Sequence, residues 1–134
     1  MSIISDGTRR TPPPGSGLLQ RVDLPFGRFE RIAAQPGDFS AAFDQHAVVV
    51  SACCPPGQVV HNARRAGLRR ISGPVYSILK PGDQVEGRLD EQTTYEILIL
   101  CPRFAEEVLQ RELGTEATRL ASVIRAPLPT LAQA

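Results

Sequence analysis

The sequence predicts one mostly β domain, built as a small barrel or sandwich and closed by a single helix. Its 134 residues are enough for one hydrophobic core but too few for two. Eleven glycines and twelve prolines favour short strands joined by tight turns over a helical bundle. The apolar runs are short and rich in β-branched residues, and only the segment after Pro102 has helical periodicity.

Residues 71–87 are the segment around which the other predicted strands are arranged. Val75 to Leu79 reads as a half-buried strand, and a second strand begins near Val85. Between them, Lys80-Pro81-Gly82-Asp83 predicts a type II turn, because proline suits its second position and glycine tolerates the positive φ of its third. Such a hairpin is marginal alone, so neighbouring strands must cover its apolar face.

Residues 1–17 are predicted to form a flexible N-terminal arm. Pro12-Pro13-Pro14 and the glycines that follow cannot form a helix or a central strand, and little of this segment is expected to be buried. The alternative is a mobile arm that folds over a ligand or a partner. The barrel itself is assigned to residues 18–101, where strand-like segments begin.

Two segments in the middle of the chain have opposite character. Residues 47–54 form the most apolar run, which predicts a buried strand, and residues 58–62 read as its returning partner. Residues 63–70 contain four arginines, which would suit phosphate contacts. They lack interleaved aromatics and a helical face, so the prediction is a solvated hairpin turn.

The last strand and the helix are predicted from opposite periodicities. In residues 93–101, Thr94, Glu96, Leu98 and Leu100 share one face, and the alternate residues share the other. Pro102 suits the first position of a helix and Gly114 the residue after its end. Residues 102–134 are therefore assigned to a helical segment, although residues 115–125 fit either a helix or a short strand.

Composition excludes several classes of protein. The net charge of +1 gives the domain no general attraction to nucleic acid or to an anionic membrane. The apolar runs are far shorter than a membrane span, and prolines follow Arg9-Arg10 where a signal peptide needs an apolar core. Three cysteines without regular spacing predict no disulfide framework, which agrees with a cytoplasmic protein whose thiols are small buried hydrophobes.

Turns with Pro-Gly between short strands are typical of the cupin barrel, which in many proteins holds a metal ion. The sequence of a metal-binding cupin typically contains a His-x-His motif followed by a Glu, with a further His after the Pro-x-Gly turn. Here His46 and His61 are the only histidines, and neither follows Pro81-Gly82. Cys54 and His61 flank a predicted hairpin turn, but nothing else supports Cys–His catalysis. No metal, no cofactor and no catalytic residue are therefore predicted, and the chain is expected not to be an enzyme.

The order of these elements resembles the N-terminal sensing and dimerisation domain of AraC-type bacterial transcription regulators. His46 opening an apolar strand, the segments 68–73 and 75–90, and the strand and helix from Thr94 to Gly114 carry the resemblance. It implies a cupin-like β-barrel (a double-stranded β-helix) with a C-terminal helix. In that family a helix-turn-helix domain follows and reads DNA. Here the chain ends at Ala134, near where a connecting helix would begin at residues 128–132. We expect either an isolated sensor domain or a natural short form, with DNA contacted only through a domain absent from this chain.

The resulting hypothesis is a cytoplasmic regulatory module that binds a small-molecule effector and forms a homodimer. The barrel interior is predicted to offer apolar ligand contacts, namely Val48, Val50, Tyr76, Ile78, Ile97 and Ile99. The helix is predicted to supply the dimer contact through Phe104, Val108, Leu109 and Arg111. The alternatives are a small metal-dependent cupin enzyme (an isomerase or a dioxygenase) and a dimerisation module without an effector.

Overall fold

The structure, a computed structural model, describes residues 3–5, 8–114 and 122–127. This part of the chain forms twelve strands and one helix. The strands are β1 (Ile3–Ser5), β2 (Thr8–Thr11), β3 (Gly17–Leu24), β4 (Gly27–Ala34), β5 (Gly37–Phe43), β6 (Ala47–Ser51), β7 (Gly57–His61), β8 (Arg64–Leu68), β9 (Val75–Leu79), β10 (Gln84–Leu89), β11 (Thr93–Leu100) and β12 (Val123–Pro127). The helix α1 (Pro102–Leu113) lies between β11 and β12. The helix found here is too short to cross a membrane.

The strands form two six-stranded antiparallel sheets that pack face to face. Sheet A has the order β1-β2-β5-β10-β7-β8, and sheet B has the order β12-β9-β6-β11-β4-β3. Side chains that point between the sheets form the core, which includes Phe43, Ala47, Leu79, Ile97 and Ile99. The prediction of a mostly β barrel or sandwich closed by a helix is confirmed.

Strand β11 is the centre of sheet B because it pairs with β4 on one side and β6 on the other. Its residues alternate as predicted, with Ile97 and Ile99 almost fully buried and Thr94 exposed. Cross-strand neighbours in a sheet share a face. The partners of β11 therefore fix which face of each neighbouring strand points to the core.

The turn between β9 and β10 has the predicted geometry. Gly82 has φ of +94°, and its N–H donates a 2.7 Å hydrogen bond to the carbonyl of Phe43 at the end of β5. A side chain at this position would meet no other atom within 4 Å, so only the backbone conformation requires glycine. The turn thus joins the two sheets at one end of the sandwich.

The N-terminal segment is more ordered than the sequence predicts. Strand β2 pairs with β5 from Thr8↔Phe43 to Thr11↔Ser40, and Arg10 is only 4% exposed. Pro12 and Pro13 are also buried. The expectation that little of residues 1–17 could be buried is therefore wrong for Arg10, Pro12, Pro13 and Ser16. These residues are buried because β2 pairs with β5, and such long-range pairing leaves no local pattern in the sequence.

The end of the chain combines one confirmed and one corrected prediction. Helix α1 begins at Pro102 and ends before Gly114, whose φ is +57°, as the two punctuating residues predicted. Residues 123–127 form strand β12, which pairs with β9, so the assignment of all of 102–134 to a helical segment is wrong there. Residues 115–121, and the connecting helix expected at 128–132, lie outside the described residues.

The arginine-rich segment is a strand rather than a turn. Arg64 to Leu68 pair with β7 as the outer strand of sheet A, and the turn itself is formed by Asn62 and Ala63, both with positive φ. The arginines of β8 are exposed, as a solvated segment requires. Charged side chains on an edge strand also oppose edge-to-edge aggregation.

Candidate functional site

A cavity of about 100 Å³ lies between the two sheets. Both sheets and the N-terminal segment contribute to its walls. Most of the lining is apolar, from Pro12, Pro13, Ala34, Phe39, Ala41, Phe43, Val49, Val59, Val75, Leu79, Val85, Leu89, Ile97 and Ile124. The polar lining residues are Arg10, Thr11, Ser40, Ser51, Ser77, Tyr95 and Arg125. An apolar chamber with a few polar groups is the usual form of a small-molecule site.

The predicted ligand contacts fall on two different faces of sheet B. Val48 and Val50 pair with Leu98 and Glu96 of β11, on the side away from the cavity. Tyr76 and Ile78 are the cross-strand partners of Val50 and Val48, so they share that outer face. The structure therefore does not bring these four residues to the cavity.

Strand β11 turns the face that the sequence predicted toward the space between the two sheets. Ile97 lines the cavity, and Ile99 lies in the buried core cluster. The inward residues of β6 and β9 are instead Val49, Ser51, Val75, Ser77 and Leu79. A signal for this register was present in the sequence, because charged Glu96 marks the outer face of β11. The role of Ile97 as a ligand contact stays a prediction.

A buried ion pair borders the cavity where the N-terminal segment crosses it. The Arg10 guanidinium pairs with the Glu30 carboxylate, and the two side chains are 4% and 0% exposed. Strand β2 supplies the arginine and β4 the glutamate. A buried pair of this kind is costly to break because one charge then remains in a low-dielectric interior. Sequence reasoning missed it, since the two residues are 20 positions apart and carry no spacing motif.

Tyr95 supplies a hydroxyl to the same region. Burial raises the pKa of its phenol, and the nearby Arg10 and Arg125 oppose that shift only in part. The hydroxyl therefore stays protonated at neutral pH and can donate a hydrogen bond. The sequence placed Tyr95 on the inward face of β11 but did not single it out.

The donor set expected of a metal cupin does not fit this cavity. Among the described residues, no histidine, cysteine, aspartate or glutamate lines it. No group of three such side chains occurs anywhere in that part of the chain. His46 lies instead between β5 and β6, where its carbonyl accepts a 2.9 Å bond from Leu100 N, and burial lowers its pKa.

His61 belongs to a second polar cluster, centred on Asp83 in the β9–β10 turn. Asp83 is 2% exposed and accepts 2.9 Å hydrogen bonds from Lys80 N and Asn62 Nδ2. His61 Nε2 lies 3.4 Å from Asp83 Oδ1. Burial opposes the ionisation of Asp83, but hydrogen bonds from Ser122, Lys80 and Asn62, with His61 nearby, together hold its pKa below the usual value. The cluster joins loops, and none of its members lines the cavity.

The cysteines do not form a catalytic pair with histidine in the described structure. Cys54 is buried, and its Sγ donates to the carbonyl of Pro55 at 3.5 Å and lies 3.9 Å from Arg125 Nη1. His61 has Asp83 as its neighbour instead. Cys53 is exposed and Cys101 is half-buried, and all three thiols are free. Only Cys54 thus has the buried position predicted for all three.

Helix α1 leaves part of its apolar stripe accessible. Ala105 is 2% exposed, Val108 and Leu109 are half-buried, and Phe104 is 37% exposed. The Phe104 ring packs on Phe26 with centroids 5.1 Å apart. Arg111 is exposed in the last turn. The predicted dimer residues therefore have surface accessible to a partner, while their role in an interface stays a prediction.

No protein-family model and no curated protein sequence matches this chain. Solved structures do resemble it in fold. A cupin domain from Bordetella pertussis aligns with 68% of this chain and 98% of its own, with a TM-score of 0.53 and 13% identity. The EutQ protein of Clostridium difficile aligns with 72% of this chain and 70% of its own, with a TM-score of 0.50 and 7% identity.

These likenesses, together with the two-sheet topology, define the class of the domain. The chain has a cupin-like fold. At such low identities the comparison concerns the fold alone, because one fold supports many unrelated functions.

Proposed function

We propose that this chain is a small-molecule-binding regulatory domain of the kind found at the N-terminus of AraC-type transcription regulators. The observation that carries the proposal is the cavity between the sheets, which is enclosed by apolar side chains and contains a few polar groups. Protein interiors are normally close-packed and have few voids larger than a water molecule, so this cavity supports a binding role. The ligand of this cavity would be the effector.

The N-terminal segment supports a sensing role. Arg10 and Thr11 of the outer strand β2, with Pro12 and Pro13 just after it, form part of the cavity wall. A ligand that contacts them would bias the position of this segment. If the segment has one position with ligand and another without it, ligand binding would change the surface that the domain presents.

We further propose that the readout is a homodimer contact through α1, with DNA bound by a separate domain. Phe104, Val108, Leu109 and Arg111 would form this contact in a cytoplasmic regulator. Their partial exposure supports the proposal, because an apolar stripe on a helix is normally covered. No membrane and no cofactor would be involved.

A matched pair of cavity-filling substitutions tests the binding role. Val49→Phe places a larger side chain in the cavity, whereas Val48→Phe makes the same change on the opposite face of β6. A thermal-shift screen of sugars, organic acids and aromatic metabolites on the wild type identifies compounds that stabilise the domain. Val49→Phe should abolish the shift produced by such a compound, and Val48→Phe should retain it. No stabilising compound, or equal loss in both folded variants, would overturn the binding role.

The metal-dependent enzyme is tested separately. We propose that the domain is not an enzyme, on the ground that the ligand set of a metal cupin does not fit the described cavity lining. Purified protein should contain no stoichiometric zinc, iron or manganese by elemental analysis. Chelator should leave the melting temperature unchanged. About one equivalent of metal per chain would favour the enzyme instead.

A further inference from the structure

Arg125 is placed at the cavity wall by an irregularity in strand β12. The pairing of β12 with β9 shifts register between Val123 and Ala126, and Arg125 in this bulge has φ of +50°. Its N–H donates a 2.9 Å hydrogen bond to Ser77 Oγ, which fixes the distorted backbone. A left-handed conformation is unfavourable for a residue with a side chain, and such strain concentrates at functional positions.

The guanidinium of Arg125 has no carboxylate partner in the described part of the chain. Its one ion-pair or hydrogen-bond contact there is the sulfur of Cys54, 3.9 Å from Nη1. The same sulfur lies 3.5 Å from the Pro55 carbonyl oxygen. Arg10, which also lines the cavity, is by contrast paired with Glu30.

Among the described residues, the two arginines and the one carboxylate leave the cavity with one positive charge that has no opposite charge beside it. Arg10 and Glu30 cancel, and Arg125 remains half-buried beside an apolar chamber. A charge removed from water requires an opposite charge or several hydrogen bonds. An anionic ligand would supply both.

The volume of the cavity and the chemistry of its lining residues limit which anions could bind there. Apolar walls from Val49, Val75 and Ile97 suit a hydrocarbon group, while the hydroxyls of Ser77 and Tyr95 suit an oxyanion. A cavity of about 150 Å³ accepts benzene, so about 100 Å³ suits a molecule of roughly four to six non-hydrogen atoms. A phosphate or sulfate would leave the apolar walls without a partner.

We propose that the cavity binds a short-chain monocarboxylate of two to four carbon atoms (~C2–C4), whose carboxylate pairs with Arg125 and whose alkyl group lies between the sheets. This inference rests on the proposed function, because it names the ligand class of the same cavity. Tyr95 and Ser77 would orient the carboxylate by hydrogen bonds. The strained position of Arg125 then serves to direct a cation into a mostly apolar chamber.

Isothermal titration with isobutyrate and its neutral isostere isobutyramide tests the charge requirement. The wild type should bind isobutyrate at least about tenfold more tightly than isobutyramide, as expected for a charge-assisted pair. Arg125→Gln should lower the affinity for isobutyrate by about tenfold or more and change the affinity for isobutyramide by less than about threefold. Arg88→Gln is the matched control, because this arginine is 70% exposed on sheet A and should change neither.

A second variant tests the assignment of the Cys54 thiol. If a thiolate at Cys54 were the counterion of Arg125, Cys54→Ala would release the guanidinium and strengthen isobutyrate binding. If Cys54 is not the counterion, the affinity for isobutyrate should change by less than about threefold. Clear strengthening in Cys54→Ala would overturn the claim that the charge of Arg125 is uncompensated.

The remaining outcomes separate this inference from the proposed function. Equal binding of isobutyrate and isobutyramide by the wild type overturns the anion assignment and leaves a neutral-ligand cavity, and this comparison decides the matter even if Arg125→Gln fails to fold. A second outcome is that isobutyrate does not bind, whereas a neutral probe such as isobutanol binds to the wild type and not to Val49→Phe. That result also rejects the carboxylate ligand but keeps the binding cavity. If no carboxylate and no neutral compound binds, the inference and the proposed function both fail.

Discussion

The hydroxyl of Ser122 donates a 2.5 Å hydrogen bond to Oδ2 of Asp83, although the two residues are 39 positions apart. The same carboxylate accepts hydrogen bonds from the β9–β10 turn and from Asn62 in the β7–β8 turn. Asp83 thus fastens three separate segments at one end of the sandwich. The side chain is almost fully buried, so its bonds are not replaced by water.

Asp83→Asn should destabilise the domain by about 2 kcal/mol, because an amide nitrogen would face groups that are themselves donors. Urea unfolding at pH 7 measures the change. Asp44→Asn is the control, since Asp44 is exposed in the loop after β5 and should change stability by less than about 0.5 kcal/mol. Equal effects of the two substitutions would contradict the role of Asp83.

The contribution of Asp83 should depend on pH in a defined direction. Its pKa in the folded state is below the value of 3.8 that an unperturbed aspartate has. Between the two values the unfolded chain binds more protons, so the stabilisation is complete well above pH 4 and is lost as the pH falls through the folded pKa. The stability difference between wild type and Asp83→Asn should therefore shrink on acidification below about pH 4. A difference that widens over that range contradicts the assignment.

Gly82→Ala should cost about 1–2 kcal/mol, because alanine is strained at φ of +94°. Gly73→Ala provides the control. A Cβ at either glycine meets nothing within 4 Å, but only Gly82 has a positive φ. Thermal or urea unfolding of both variants isolates the backbone effect. An unchanged unfolding midpoint for Gly82→Ala would contradict the type II turn.

Two adjacent ion pairs on β4 should differ in their contribution to stability. Glu30→Gln breaks the buried pair with Arg10 and should cost about 3 kcal/mol or more. Glu96→Gln breaks the pair with Arg31, whose side chains are 44% and 43% exposed, and should cost less than about 1 kcal/mol. Comparable losses in urea unfolding would show that burial of the Arg10–Glu30 pair does not matter.

The dimer contact proposed for α1 is tested by two neighbouring positions. Leu109→Glu should give a folded monomer, because a charge would enter the apolar contact. Gln110→Glu adds the same charge at an exposed position of the helix and should leave a dimer. Sedimentation equilibrium with far-UV circular dichroism reads assembly and folding together. A wild-type chain that stays monomeric at high concentration rejects the contact.

Sequence reasoning identified elements whose signals are local. Pro102 and Gly114 mark the helix, and Pro81-Gly82 marks the turn, because each residue limits φ or the hydrogen bonding of its own backbone. The two faces of β11 followed in the same way from strict alternation. These features need no knowledge of distant neighbours.

The faces of β6 and β9 could not be assigned in this way. Val48, Val49 and Val50 are all apolar, so alternation alone gives two equivalent solutions. The cross-strand pair Val50↔Glu96 decides between them, and it is a long-range contact. The cavity's polar groups were missed for a related reason. Arg10 and Arg125 lie in short strands at the ends of the chain, and only pairing with β5 and β9 brings them to one chamber.

The central position of β11 has a consequence for synthesis on the ribosome. Strand β11 separates β6 from β4 in sheet B, yet its last residue is Leu100. A nascent chain that has exposed only residues up to about 90 would hold two halves of a sheet with no strand to join them. Such non-local pairing forms slowly, and unpaired edges favour aggregation. The domain should therefore depend on chaperones until β11 emerges, and translational pausing before residue 100 should lower its soluble yield.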